Sequence, residues 1–235
     1  MKPSLILIPT TLGDLGTVNK VLPDYNLKLT YGIKVFIVEQ IRTARRFLKK
    51  INHPVPIDDM TFHELNKHTD QNQVYSYLSA ISKGESIGLI SEAGTPCVAD
   101  PGSVIVKIAH QKNIDIIPLV GPNSIIMSLM ASGFNGQNFS FHGYLPVDKN
   151  DRARKIQQIE TNIYKNDQSQ IFIETPFRNM QLFESLLKTC KNGTLLCVAC
   201  NLSLEDQFIK TLSIQDWKKE TVDLKKKPTV FLLYR

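Results

Sequence analysis

The sequence predicts an α/β protein made of two α/β lobes, the first built on a mainly parallel sheet and the second on a mixed one. Three observations carry this. Short apolar runs suited to buried strands alternate with helical stretches from residue 4 to residue 131. That is the pattern of a mainly parallel sheet with helices on both faces. Residues 194–201 and 207–212 are successive strand-like runs with no helical stretch between them, which reads as a hairpin. The third is residues 88–102, where an apolar strand breaks into Ser91-Glu92-Ala93-Gly94-Thr95-Pro96 and resumes at Asp100-Pro101-Gly102. The last triplet reads as a helix start, with Asp100 as N-cap and Pro101 as first helical residue. A strand, a tight Gly/Pro loop and a capped helix place a ligand loop at the carboxyl end of a strand, where open α/β sheets bind ligands.

Each element follows from its residues. Residues 4–9 read as a buried first strand, followed by the loop Thr10-Thr11-Leu12-Gly13-Asp14 and a short helix ending before Pro23. Residues 33–38 are a second strand. Residues 39–50 are helical, with Arg42, Arg45, Arg46, Lys49 and Lys50 at spacings of three and four, hence on one face. Residues 52–70 read as loop, with Pro54, Pro56, His53, His63 and His68, and residues 74–83 as helix. A helix over 100–112, a strand over 114–118 and an apolar helix over 125–131 closed by Gly133 complete the first series. The second half gives strands at 139–144, 170–174, 194–201, 207–212 and 229–234, a polar helix at 151–164, a helix after Pro176 and a short turn at Trp217. A boundary near 118–121 makes the lobes 1–118 and 119–235.

Composition narrows the class. The chain has 235 residues, 42% hydrophobic and 21% charged, enough for a substantial core and unlike a disordered chain. Its apolar runs are far below membrane-spanning length, and the start Met1-Lys2-Pro3 is followed by too short an apolar run for a signal peptide. Cys197 and Cys200 form a C-x-x-C inside a strand-like run, and no second pair is present for a zinc site. With Cys97 and Cys190 they read as reduced thiols, which fits a cytoplasmic protein and no metal. The net charge of +6 is compatible with an anionic partner such as RNA.

The loop motifs form a series: Pro9-Thr10-Thr11-Leu12-Gly13-Asp14, Ser91-Glu92-Ala93-Gly94-Thr95-Pro96, Asp100-Pro101-Gly102, Gly121-Pro122-Asn123-Ser124, Phe141-His142-Gly143-Tyr144-Leu145-Pro146 and Glu174-Thr175-Pro176-Phe177-Arg178. In this order and spacing the chain resembles the tetrapyrrole-methylase superfamily, and within it the RsmI family of small-subunit ribosomal RNA ribose 2′-O-methyltransferases. Glu39 with Arg42 and Arg45, and Phe62-His63-Glu64 with Asn66, are weaker matches to the same family. The resemblance implies two α/β lobes with S-adenosylmethionine in the cleft between them, a homodimer, and ribosomal RNA or the small subunit as partner. It implies cofactor contacts at Pro9, Glu92, Ala93, Gly94, Thr95, Val98, Ser124, Ile125, Glu174, Thr175, Ala199, Cys200, Pro228 and Thr229. A nucleotide-binding G-x-G-x-x-G is absent from the sequence, in agreement.

Methyl transfer from a sulfonium needs positioning above all. A ribose hydroxyl also gains from a proton acceptor. Candidates are Asp14, Glu39 and His63. Asp14 serves equally as a helix cap. Glu39 either anchors Arg42 or meets the acceptor. His63 also fits a structural or solvated loop histidine. Glu92 reads as shaping the loop, and Glu174 as a buried hydrogen-bonded group. Arg42, Arg45, Arg46 and Lys49, and after the Gly143 loop Lys149, Arg152 and Lys155, are candidate phosphate contacts or solvated helix faces. Lys225-Lys226-Lys227 reads as an exposed loop.

The chain departs from the family where the acceptor is concerned. It has Glu-Gln-Ile-Arg at 39–42 where the family has Glu-Asp-Thr-Arg, and no Arg-Glu after Ala199. Lys-Lys-Pro, not Lys-Gly-Glu, precedes the last strand. Two alternatives stay open at this point: a methylase of a tetrapyrrole or other small molecule, and a non-catalytic S-adenosylmethionine- or RNA-binding paralogue.

Overall fold

A computed structural model describes residues 2–66 and 69–235 and divides into two compact units, Met1–Asn123 and Ser124–Arg235. Residues 119–123 stay with the first unit. Leu119 N–H donates to Leu7 O at 3.0 Å, Asn26 Nδ2 to Val120 O at 2.6 Å and Asn123 Nδ2 to Thr95 Oγ1 at 2.6 Å.

The first unit holds strands β1 (Ser4–Ile8), β2 (Val35–Val38), β3 (Thr61–Glu64), β4 (Ile87–Ile90) and β5 (Asp115–Pro118). They form one sheet in the order β3-β2-β4-β1-β5 with every pair parallel. Strand alternation supplies two cores. Ile6, Ile8, Phe36, Val38 and Ile90 pack with Val18 and Leu22 and with Ala44, Phe47 and Leu48 of helix α3 on one face. Leu5, Val35, Ile37, Ile87 and Leu89 pack with Leu78, Ile105 and Ile108 on the other. Gly88 lies where a Cβ would stand 2.7 Å from Ile8 and 2.8 Å from Phe36, so the Phe36 ring occupies the space a side chain would need.

The helices of this unit are α1 (Val18–Val21), α2 (Asp24–Thr30), α3 (Ile41–Lys50), α4 (Gln71–Val74), α5 (Ser79–Ser82) and α6 (Ser103–Gln111). Four differ from the sequence expectation. Helix α1 ends before Pro23 as expected, but Pro23 is also the N-cap of a second helix, α2, which the sequence reading did not expect. The expected helix at 74–83 is split by a 3-10 turn at Tyr75–Leu78. Helix α3 begins at Ile41, two residues later than expected, and α6 begins at Ser103, with Asp100 and Pro101 outside it. Strand β3 was expected to be loop. It is a four-residue edge strand with no buried face, which hides it from a period-2 reading. His68 lies outside the described residues.

The second unit contains α7 (Ser124–Ser132), β6 (Phe139–Tyr144), α8 (Lys149–Asn166), β7 (Ser169–Ile173), α9 (Asn179–Thr189), β8 (Leu195–Cys200), β9 (Phe208–Ser213), α10 (Ile214–Trp217) and β10 (Thr229–Tyr234). The sheet runs β6-β7-β10-β8-β9. Only β6 and β7 pair in parallel, and β8 and β9 form the expected hairpin. Ile156, Ile159 and Ile163 of α8, Leu182 and Leu186 of α9, and Trp217 cover Phe172, Val198 and Phe231. Helix α7 is tied to β9 by Thr211 Oγ1, which donates to Ser132 O at 3.0 Å. Among the described residues no helix is long and apolar enough to cross a membrane.

Candidate functional site

Three loops are stitched together at the carboxyl edge of the parallel sheet. After β1, Thr10 N–H donates to Gly94 O (3.0 Å), and Gly94 N–H donates to Thr11 O (3.3 Å). Ser91 Oγ donates to Gly94 O at 2.6 Å, and Thr10 Oγ1 to Ser91 O at 3.3 Å. Gly94 has φ +72, and a Cβ there would meet Leu12 Cδ2 and Pro122 O, each at 2.8 Å. Only glycine combines that backbone with that approach. The loop after β5 joins through Asn123 and through Gly121, whose Cβ would lie 2.3 Å from Pro9.

Beyond Gly94 the chain holds strain. Cys97 (φ 67) and Ala99 (φ 63) are non-glycine residues in the left-handed region. Asp100 braces the loop, its Oδ1 accepting from Cys97 N–H at 2.9 Å and Gly102 N–H at 2.8 Å. Asp100 therefore closes the loop and does not cap α6. The reason is that its acceptor is spent on the N–H groups of Cys97 and Gly102, both ahead of the helix. Val98, between the two strained positions, and Ala99 are left exposed. Such strain persists where the surroundings over-determine it, as at ligand clamps.

Next to these loops lies a cavity of about 190 Å³ lined by Thr10, Thr11, Thr43, Ser91, Glu92 and Arg46 over Phe47 and Ile90. It offers hydroxyls, one carboxylate and one guanidinium. A smaller hollow on the other side of Ile90 is lined by Glu39, Asp100 and Gly102. Glu39 follows β2 directly, and its carboxyl is pushed up to about 7, first by burial and then by the negative charges of Asp100 and Glu92. Burial also raises Asp100, against the lowering effect of the hydrogen bonds from Gly102 and Cys97. Cys97 rises to about 11 through burial and the Asp100 charge, so its thiol stays protonated at neutral pH.

The other candidate proton acceptors have structural duties. Asp14 Oδ1 caps the 3-10 turn Leu15–Thr17 by accepting from Gly16 N–H at 2.8 Å. His63 is in β3, not in a loop, and its ring stacks on Tyr77 with centroids 4.7 Å apart. Burial lowers its pKa and keeps it neutral. Glu39 has no ion pair with Arg42 among the described residues. Sequence reading proposed Glu39 but missed Asp100 as a charge that adds to the effect of burial on it, because Asp-Pro-Gly carries the stronger helix-start signal.

The remaining cofactor candidates are placed as follows. In the first unit Pro9 is buried, Ala93 and Glu92 are exposed, and Thr95 is half-buried. In the second, Ser124 begins α7 and Ile125 is buried. Glu174 is buried and accepts from Thr175 N–H (2.6 Å) and from Arg178 Nη2 (2.6 Å). Ala199 and Cys200 need correction as side-chain contacts. They are 1% and 2% exposed inside β8, which pairs on both edges, with β9 and β10. Thr229 is buried opposite Cys200, and Pro228 is exposed beside it.

Two basic candidates also change. Arg152 is 2% exposed, its Nε donating to Ser185 Oγ at 3.1 Å and its Nη1 to Val147 O at 2.9 Å. It ties α8 to α9 and the β6 loop and is withdrawn from the phosphate-contact set. Arg45 lies 5.5 Å over the Phe62 ring and 3.9 Å from Asp58, which directs it toward β3. Arg42, Arg46, Lys49 and Lys149 are exposed, and Lys155 reaches Gln158 Oε1 at 3.4 Å. The four cysteines are free, and no His/Cys/Asp/Glu group suited to a metal occurs among the described residues.

The first-unit loops suit S-adenosylmethionine. They present small residues, threonine hydroxyls and backbone polar groups, with Val98 and Ala99 exposed. A zwitterionic amino acid joined to a nucleoside by a sulfonium needs such a mixture of apolar wall and backbone donors and acceptors.

No family model matches the chain. Curated relatives do. The "Ribosomal RNA small subunit methyltransferase I" of Vibrio cholerae is 29% identical over 235 residues, covering 99% of this chain and 77% of the relative. The protein of the same name from Escherichia coli O157:H7 is 24% identical over 232 residues, covering 97% and 77%. Among solved structures, diphthine synthase superposes with a TM-score of 0.68 at 14% identity over 98% of this chain and 89% of that one. The methyltransferase CobJ gives 0.64 at 15% identity over 99% and 94%. The structures share the fold, and the curated relatives run the length of this chain in one alignment. The chain is therefore similar over nearly its whole length to proteins named ribosomal RNA small subunit methyltransferase I, and it shares its fold with solved S-adenosylmethionine-dependent methyltransferases.

Proposed function

We propose that the chain methylates a ribose 2′-hydroxyl of small-subunit ribosomal RNA. The observation that carries this reading is the match to proteins named for small-subunit ribosomal RNA methylation over 97–99% of the chain. When bound, S-adenosylmethionine supplies an already activated methyl group. The residues of this chain have the remaining tasks. Pro9, Ala93, Gly94, Thr95 and Val98 hold the donor. Glu39 accepts the proton of the ribose hydroxyl, since a carboxyl raised to about 7 is a stronger base than an ordinary carboxylate yet still half ionised near neutrality. Arg46 and the threonines of the neighbouring cavity orient the acceptor, with Arg42, Lys49, Lys149 and Lys155 as phosphate contacts. The protein acts in the cytoplasm, as a homodimer.

The test is S-adenosylmethionine calorimetry followed by mapping of ribose methylation in ribosomal RNA from a deletion strain. Micromolar donor binding with loss of one 2′-O-methyl mark is the expected outcome. Absence of donor binding overturns the reading. Donor binding with an unchanged methylation map overturns the acceptor alone.

A further inference from the structure

The second unit presents an aromatic side chain to solvent on a hydrogen-bonded turn. Phe177 is 82% exposed. It sits in the tight turn after β7, closed by Arg178 N–H donating to Thr175 O at 2.9 Å. Glu174, whose side chain is 1% exposed, clamps both ends of that turn. Its Oε1 accepts from Thr175 N–H at 2.6 Å and from Arg178 Nε at 3.0 Å and Nη2 at 2.6 Å. The turn is therefore pinned from within, while its most apolar side chain points to water.

The segment Lys225-Lys226-Lys227 is held against this turn. Lys226 N–H donates to Pro176 O at 3.0 Å, and Asn179 Nδ2 donates to Lys227 O at 2.6 Å. Leu224, fully buried, anchors the segment, and its N–H meets Met180 Sδ at 3.4 Å. Lys225 and Lys226 are exposed. Of the nearby carboxylates, Glu174 is neutralised by Arg178, and Asp223 accepts from Lys225 N–H at 3.1 Å. A segment with two exposed lysines is thus held by its backbone beside the turn that carries the ring.

We propose that Phe177 is a stacking platform for one unpaired base of a single-stranded RNA, with Lys225 and Lys226 on the adjoining phosphates. This rests on the reading that the acceptor is RNA. A base face and an aromatic ring stack without regard to sequence, and cations beside the ring track the backbone. A duplex keeps its bases stacked inside and offers no face to the ring. A protein partner fits less well, because lysines are depleted from the apolar centre that a protein interface needs.

The experiment is fluorescence anisotropy with the full chain, a labelled unstructured oligoribonucleotide of about 12 nucleotides and a duplex of equal length, across a salt series. Phe177→Ala and Phe177→Leu weaken single-strand binding about tenfold, Phe177→Trp retains it, and duplex binding is unchanged. The double variant Lys225→Glu, Lys226→Glu weakens binding and flattens its salt dependence. Affinity for S-adenosylmethionine stays at the wild-type value in all of them. Equal binding by Phe177→Ala, or full rescue by Phe177→Leu, overturns the platform. A shift in sedimentation of Phe177→Ala overturns it in favour of a protein interface. Failure of the wild type to bind either RNA overturns the RNA reading and the platform together; wild-type binding that ignores Phe177 overturns the platform alone.

Discussion

Two glutamates stand just past strand ends, one in each unit, and their surroundings are opposite. Glu174 follows β7, is buried, and meets a guanidinium and a backbone N–H. Glu39 follows β2, is half-buried, and faces Asp100 and Glu92. The first is a structural carboxylate whose charge is neutralised where it lies. The second has its charge disfavoured by burial and by neighbours of like sign. A carboxylate held at such a cost is a candidate for chemistry, whereas a neutralised one holds a turn. The same residue type at the same kind of position thus takes two roles, decided by what other loops bring beside it.

The largest way to break this comparison is Arg178→Met. It leaves Glu174 buried without its cation, at a cost of about 3–5 kcal/mol, read as a lower denaturation midpoint in urea. A loss below about 1 kcal/mol would place Glu174 among solvated groups. Glu39→Gln goes the other way. The folded carboxyl titrates near 7 against an unfolded value near 4.5, so the folded chain holds the extra proton between them. Wild-type stability therefore falls as pH rises from about 4.5 through about 7, and Glu39→Gln removes that fall. At about pH 8 the variant should be more stable by on the order of 1 kcal/mol, discounted for partial exposure, while methyl transfer drops by roughly 10²–10⁴-fold. Urea titrations at about pH 5 and pH 8 decide it, and a variant less stable at the higher pH would refute the assignment.

Asp100→Asn sharpens the same point with a smaller effect. The amide oxygen keeps both loop hydrogen bonds while the charge disappears. The Glu39 carboxyl should then move down but remain raised, because burial is the larger cause. Carboxyl-carbon NMR titration measures this, and an unmoved Glu39 would contradict the proximity. Asp14→Ala should do least, costing roughly 0.5–1 kcal/mol through the lost cap and leaving turnover within a factor of two. A hundredfold loss of turnover would transfer the proton-accepting role from Glu39 to Asp14.

Much was legible before any coordinates. Apolar runs gave every strand but β3 within one or two residues, and the central strands most clearly, since burial on both faces leaves a continuous apolar signature. The β8–β9 hairpin followed from the lack of a helical stretch between two such runs. The loop motifs marked the carboxyl edge of the first sheet because glycine, proline and small residues are required there by backbone approach, as at Gly94 and Gly121. Strand β3 was not legible, for an exposed edge strand carries no burial pattern. Nor was the fate of Arg152, since a basic residue in a polar helix reads as solvated until the neighbouring α9 and β6 loop enclose it.

The sequence by itself determined the layer pattern, the position of the ligand loops and the resemblance to a methyltransferase family, because these depend on periodicity and on local backbone demands. The tertiary structure alone decided which charged groups are available for chemistry. Charge, unlike burial pattern, is set across loops distant in sequence. Asp100 reaches Glu39 across sixty residues of chain, and the segment of Lys226 reaches Pro176 across fifty. Those meetings separate a tuned carboxylate from a paired one and hold a lysine segment against the turn that exposes Phe177.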